Sequence, residues 1–424
     1  MKQQSVINKN DLSKAKRILV IFLVSFGSAV LFQIIYFRFS FYDSMMEALN
    51  LTNAQVGATG GIYGLVATPC YLFGGILADK IRAKYLAAGG FFSTAAVICW
   101  FATLPGYTSV MIIFALLGVT STLIFWGIRY KLIRLVSDNQ SYSRNIGLSY
   151  GIYGVGGLIL GFIAQQIFNT FAQSTASGFV VILIFSAVLN VVFGIATLLL
   201  VPKFDDEISE NEGGFNLNEF KAAIKHPGVW LTTASMFFVY CAYAAMAYTT
   251  PYLTDVFDAP MTITSTVGMI RTYGIALLSA PIIGSLASRI NSPAKVLITI
   301  MALTAACSAI LLILPITEAM LFIAILLIFI IGFFLTGAYG VASSQFTESG
   351  VPTTIFGAAT GILSVLAFIP DMFVPVITGN WLDQFPGIAG YQMSFVVFLI
   401  AASIIAIFCS IAVRIYVCKG HKRD

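Results

Sequence analysis

Charge is what this 424-residue chain lacks most: 10% of its residues are Asp, Glu, Lys or Arg, against about a quarter in an ordinary soluble domain. With 58% apolar residues and a mean hydropathy of +0.92, no single soluble core could hide so much greasy surface. Histidine is scarce, and His226 and His421 both lie in polar segments far from any cysteine. The six cysteines (Cys70, Cys99, Cys241, Cys307, Cys409, Cys418) sit in or beside apolar runs without a C-x-x-C spacing. They are expected to be small apolar packers, and no metal site or cofactor is expected. A phosphate-binding loop is also missing: Gly154-Val155-Gly156-Gly157 lies inside an apolar run with no strand before it. Direct use of ATP, nucleic-acid binding, soluble enzymology and a secreted disulfide scaffold all drop out.

What the chain has instead is long apolar runs. Windows bounded by Pro, Gly or charge predict twelve membrane spans near residues 18–40, 55–78, 84–104, 108–131, 145–170, 178–201, 229–250, 262–286, 295–315, 319–342, 355–379 and 391–416. The polar leader 1–17 carries Lys2, Lys9, Lys14, Lys16 and Arg17 and is followed by a run too long for a signal peptide, so the first span is expected to be retained. With both termini in the cytoplasm, all but two of the 23 basic residues fall on inside segments. The exceptions are Arg38, at the end of the first span, and Arg271, within the eighth. A multi-pass protein of the cytoplasmic membrane follows, and the net charge of +5 reflects topology and not a polyanionic partner.

The only long polar stretch, residues 202–228, divides the chain into six-span bundles 18–201 and 229–417, with a cytoplasmic tail at 418–424. Its second part spaces Leu217, Phe220 and Ile224 as a short amphipathic helix would; a plain solvated linker fits as well. Sliding the chain on itself by 210 residues aligns Thr52 with Thr262, Tyr63-Gly64 with Tyr273-Gly274, Asp138 with Glu348, Gly147 with Gly357 and Gly151 with Gly361. The series points to two parallel repeats, a plan suited to rocking around a central site. Glycines four apart (Gly57/Gly61, Gly60/Gly64, Gly147/Gly151, Gly157/Gly161, Gly357/Gly361) are expected to let helices approach closely.

Between spans two and three, Gly74-Gly75-Ile76-Leu77-Ala78-Asp79-Lys80-Ile81-Arg82-Ala83-Lys84 resembles the loop signature of the major facilitator superfamily. The resemblance, with spans and repeat, covers nearly the whole chain. It implies the major facilitator fold, all-α with twelve transmembrane helices in two six-helix bundles. It also implies a gating latch in which Asp79, with Gly75, Lys80 and Arg82 around it, holds the halves together on the cytoplasmic side. The second copy has Ser288 in place of the aspartate. Tyr36-Phe37-Arg38 looks like the organophosphate/phosphate antiporter branch, and Arg271 is placed like the arginines of nitrate and oxalate carriers. The runs around Phe41-Tyr42-Asp43, Leu51 to Gly57 and Thr249 to Asp255 resemble the YihN-like bacterial inner-membrane permeases. The seventh span lacks the second arginine of the phosphate branch, and the eleventh has Asp371 where oxalate carriers have lysine. Unlike drug/proton antiporters, Met111 to Val119 carries no arginine, and no proline kinks Gly147 to Gly161.

Ionisable groups at membrane depth mark function unless paired. Arg38 could fork an anion or simply snorkel to headgroups. Arg271 lies about nine residues, roughly 13 Å of rise, from the end of its span and is expected to bind or gate an anion. Asp371, between Pro370 and Pro375, is the expected proton carrier; a permanent Arg271–Asp371 ion pair is the competing reading. Arg129 beside Trp126 suits either substrate or topology. Tyr36, Tyr240, Tyr243, Tyr273 and Tyr339 are candidate hydroxyl donors to a substrate, or packing residues. Together these point to a secondary transporter, not an enzyme, for a small organic anion coupled to protons or a counter-anion, acting as a monomer. Inorganic-anion uptake, efflux of amphipathic compounds and a non-transporting sensor are the alternatives.

Overall fold

Helix is the answer to so apolar a chain, because in a bilayer every backbone polar group must be satisfied within the segment. The computed structural model describes residues 6–7, 12–138, 141–171, 174–208 and 217–420. Among them, eleven helices are long and apolar enough to span: α1 (Lys14–Gln33), α3 (Ala83–Phe101), α4 (Tyr107–Leu135), α5 (Arg144–Thr170), α6 (Thr175–Leu200), α7 (Pro227–Phe257), α8 (Met261–Ile290), α9 (Pro293–Ile313), α10 (Glu318–Ala342), α11 (Thr353–Gln384) and α12 (Ile388–Cys418). The twelfth, α2, is a bent pair, Asn53–Tyr71 and Phe73–Lys80, meeting at 53°; Pro69 inside the helix accounts for the bend. Each expected span is present. Large apolar side chains such as Ile313 (80% exposed) and Phe322 (72%) cover their outsides, a surface that only lipid would cover.

Two boundaries differ from expectation. The first helix stops at Gln33, and short helices Phe37–Ser40 and Tyr42–Ala48 follow it. Hydropathy could not see this break because the chain stays apolar through it. The seventh helix instead runs on to Phe257, through a tight 3-10 turn at Met246–Tyr248. The helix expected in the linker is there, at Leu217–Lys225. One element was not foreseen: Val6–Ile7 pairs in parallel with Lys203–Phe204 as a two-residue β ladder.

The chain forms two units: residues 1–51 with 65–213, and residues 52–64 with 214–424. In unit one, α3 packs on α6 and α1 on α5, around Ala29, Val30 and Leu160 with Phe26, Tyr153, Phe185 and Phe193 against them. In unit two, α7 packs on α12, α9 on α10 and α12, and α8 on α10.

The first stretch of α2 belongs to unit two and shows what its glycines do. A Cβ on Gly57 would lie 2.1 Å from the Pro375 carbonyl oxygen, one on Gly61 2.8 Å from that of Met372, and one on Gly64 2.8 Å from the Asp371 Cβ. α2 thus lies backbone to backbone on α11, the close approach that such spacing permits. Asp383 completes the contact: its carboxylate accepts from the amides of Asn53 (3.0 Å) and Ala54 (2.7 Å) and from Asn53 Nδ2 (3.0 Å), capping the helix start. Gly147, Gly357 and Gly361 face open space, so their four-residue spacing does not mark helix contacts. Glu348 ties unit two at another point, accepting from Ser292 Oγ (2.6 Å), the Ala294 amide (2.8 Å) and Arg414 (2.9 Å).

Candidate functional site

Among the described residues, π-helical stretches interrupt three spans: Val119–Trp126 in α4, Ile270–Ile275 in α8 and Phe395–Ala401 in α12. Such stretches recur at functional sites because they shift side chains out of the regular register. Two of the three hold candidate residues: Trp126 in the first, Arg271 and Tyr273 in the second.

Arg271, in unit two, is wholly buried. Its Nη1 donates to the Met246 carbonyl (2.8 Å), to Thr250 Oγ1 (3.1 Å) and to Thr249 Oγ1. These acceptors lie together because the 3-10 turn of α7 at Met246–Tyr248 brings the Met246 carbonyl and the two threonines to one place. Space for the side chain comes from α10: a Cβ on Gly332 would lie 2.8 Å from Arg271 Cγ. The two threonines fall in the Thr249 to Asp255 run that carries the family resemblance, but neither they nor Gly332 are expected site residues from sequence.

Asp371 opens the second part of α11, after the helix breaks at Phe368–Ile369. There the dipole of a helix start favours negative charge. Tyr240 Oη donates to Asp371 Oδ2 at 2.7 Å. Tyr240 stacks on Tyr243 (5.6 Å between ring centres) and Tyr243 on Tyr339 (5.2 Å), with Phe368 edge-on to Tyr240 at 4.9 Å. The Tyr243 hydroxyl is within electrostatic reach of Asp371, Arg271 and Tyr273. Unit two therefore gathers six expected residues, Tyr240, Tyr243, Arg271, Tyr273, Tyr339 and Asp371, with Tyr243 linking them. Chemically the cluster offers a fixed cation, a carboxyl that can take up a proton, several phenols and a stacked aromatic face.

Unit one holds the other candidates along an aromatic chain. Tyr36 packs on Phe32 (6.3 Å), Phe32 on Trp126 (5.9 Å) and Trp126 on Tyr130 (5.5 Å), and the Tyr130 and Tyr150 hydroxyls share a 2.7 Å hydrogen bond. Arg38, 7% exposed, lies over Phe39 at 5.2 Å, so it sits inside the protein and does not reach out to headgroups. Arg129 is 2% exposed and is no surface charge either. Its Nε and Nη2 donate to Ser149 Oγ at 3.1 and 3.0 Å, and its guanidinium faces Tyr150 at 4.5 Å and Tyr153 at 5.2 Å.

Of the signature expected as a loop between spans two and three, Gly75, Asp79 and Lys80 lie instead in the last turns of α2, and Arg82 lies just beyond its end. Asp79 and Lys80 are exposed; Asp79 lies within electrostatic reach of Lys131, whose ammonium donates to the Ala78 carbonyl. Arg82 pairs with the buried Glu207 at 2.8 Å. Gly75 faces open space, whereas a Cβ on its neighbour Gly74 would lie 2.8 Å from the Thr122 carbonyl oxygen. Gly74 is the residue that lets α2 approach α4.

Comparison with known proteins fits this architecture. Residues 17–375 match the family model of the Major Facilitator Superfamily. Inner membrane protein YqcE of Escherichia coli (strain K12) is 24% identical over 398 residues, covering 93% of this chain and 94% of its own. Inner membrane protein YihN of the same organism is 24% identical over 361 residues, covering 84% and 86%. Among solved structures, the nucleoside transporter NupG superposes with a TM-score of 0.72 at 17% identity, covering 95% of this chain and 99% of that one. A bacterial homologue of the human lysosomal transporter Spinster superposes with a TM-score of 0.71 at 13% identity, covering 96% and 98%.

Proposed function

The chain belongs to the Major Facilitator Superfamily of secondary transporters, and on that premise we propose that it carries a small organic anion (a sugar acid, carboxylate or phosphate ester) across the cytoplasmic membrane by alternating access. The observation that carries this reading is Arg271, a guanidinium with no exposed surface, held at a π-helical stretch among phenols. A charged group at such depth is a functional candidate by default, and the planar fork of a guanidinium suits an anionic group. Asp371, linked through Tyr240 and Tyr243 to the same cluster, is the proton-coupling residue of this proposal, with exchange against a counter-anion as the other mode. The placement of basic residues supports both termini lying in the cytoplasm.

Flux into proteoliposomes tests the proposal. Uptake of one anion class, abolished in Arg271→Ala, supports it; anion uptake that survives Arg271→Ala removes Arg271 from the binding site, no uptake of any anion class refutes the proposal, and saturable binding without flux would mean a sensor. A second reading, a neutral ring-bearing substrate, draws on the stacked tyrosines and the likeness to a nucleoside transporter. Nucleoside flux indifferent to Arg271→Ala would select it.

A further inference from the structure

Arg129 of unit one combines deep burial with an all-neutral surrounding. It is 2% exposed, yet no carboxylate among the described residues lies within ion-pair distance of it. What does surround it is specific. Ser149 Oγ takes Nε and Nη2 (3.1 and 3.0 Å) and is itself oriented by Ser25 Oγ at 2.7 Å. Tyr150, Tyr153 and Tyr130 lie 4.5, 5.2 and 6.0 Å from the guanidinium carbon. Rings hold the faces of the guanidinium and Ser149 holds one edge. The opposite edge, with Nη1, meets no protein acceptor among the described residues.

We propose that Arg129 is a second oxyanion-binding residue, independent of the Arg271 cluster, and that its Nη1 edge takes the carboxylate or phosphate group of a ligand. Three features of the surroundings fit that role. Stacked rings stabilise a cation without neutralising it, so the charge stays available. Ser149 and the tyrosines fix the plane of the fork before anything binds, which reduces the ordering cost of binding. A guanidinium, unlike an ammonium, presents parallel N–H bonds that match the two oxygens of a carboxylate or phosphate. A residue serving topology alone would need neither burial nor a cage.

Binding is tested on the full chain, in the Arg271→Gln background so that the other arginine does not contribute. Protein in phosphatidylcholine nanodiscs is titrated with acetate and with inorganic phosphate at constant ionic strength, and the unfolding midpoint is read, since an anion held by the native state raises it. A parallel sample contains phosphatidylglycerol without either anion. The expected result is a rise that grows with the logarithm of anion concentration and whose apparent affinity falls about tenfold or more in Arg129→Gln, the scale of a lost charge-assisted hydrogen bond. A rise with acetate or phosphate assigns a soluble anion; one seen only with phosphatidylglycerol and lost in Arg129→Gln assigns a lipid phosphate. No rise with any probe, or a rise that Arg129→Gln leaves intact, overturns the proposal. Should that variant fail to fold, Arg129→Lys keeps the charge but loses the fork, and an unchanged affinity there overturns it equally.

Discussion

Gly57→Ala adds one methyl group at the tightest point of unit two. The new carbon would lie 2.1 Å from the Pro375 carbonyl oxygen and 2.8 Å from the carbonyl carbon. A carbon and a carbonyl oxygen tolerate about 3.3 Å, so the α2 and α11 backbones must part by roughly 1.2 Å. Both obstacles are backbone, so no side chain can turn aside. The same oxygen accepts from Tyr248 Oη at 2.8 Å, and that bond is disturbed by the same shift. Overpacking costs about 1–3 kcal/mol and the hydrogen bond about 1 kcal/mol, giving a loss of about 2–4 kcal/mol. Gly361→Ala is the control: it sits in the same helix, α11, with nothing within 4 Å of its would-be Cβ. Relieving a helical glycine there should stabilise by up to about 1 kcal/mol. The assay is the unfolding midpoint of each variant in nanodiscs. The two substitutions should move it in opposite directions; equal tolerance would refute the close contact of α2 on α11.

Asp371→Asn should keep substrate exchange but lose accumulation driven by a pH gradient, measured in proteoliposomes; undiminished pH-driven uptake would remove Asp371 as proton carrier. Gly332→Ala should displace the Arg271 side chain, whose Cγ lies 2.8 Å from the added carbon, and reduce anion flux at least tenfold, an effect of about 1.4 kcal/mol; flux at the wild-type level would contradict it. Asp383→Ala removes the cap at the start of α2 and should lower stability by about 1 kcal/mol, whereas Asp383→Asn, which keeps one acceptor, should lose less. Glu348→Ala strands Arg414, Ser292 and the Ala294 amide together and should cost about 1–3 kcal/mol, visible as a lower unfolding midpoint.

Hydropathy made the spans legible because the lipid requirement is local: about twenty apolar residues in a row satisfy it whatever their neighbours. The same locality hid the end of the first helix at Gln33, since Ile34 to Phe41 stays largely apolar around Arg38. Charge at depth singled out Arg38, Arg129, Arg271 and Asp371, but not what holds them. Ser149 and Thr249 look like any small polar residue in a membrane helix, and Gly332 is one glycine among 36. Their roles depend on which helices meet, which spacing along a chain does not encode. The glycine pattern shows the same limit: Gly57/Gly61 and Gly357/Gly361 are identical in spacing, yet only the first pair has a helix against it. The choice between Gly74 and Gly75 turned on the register of α4 beside α2, visible only after folding.

The π-helical stretches have a consequence for the length of the chain. Removing one residue from an ordinary spanning helix turns everything beyond the cut by about 100°, exposing core side chains to lipid. A π stretch is in effect an α-helix with a residue squeezed in, so a one-residue deletion within it restores regular winding and leaves both flanks in place. Ile270–Ile275 is such a place, and it carries Arg271. There a change of length, and not only of residue type, can retract the buried cation while the rest of α8 keeps its packing. Divergent members of the superfamily therefore have a route to a new substrate that a residue-by-residue comparison would record as a gap.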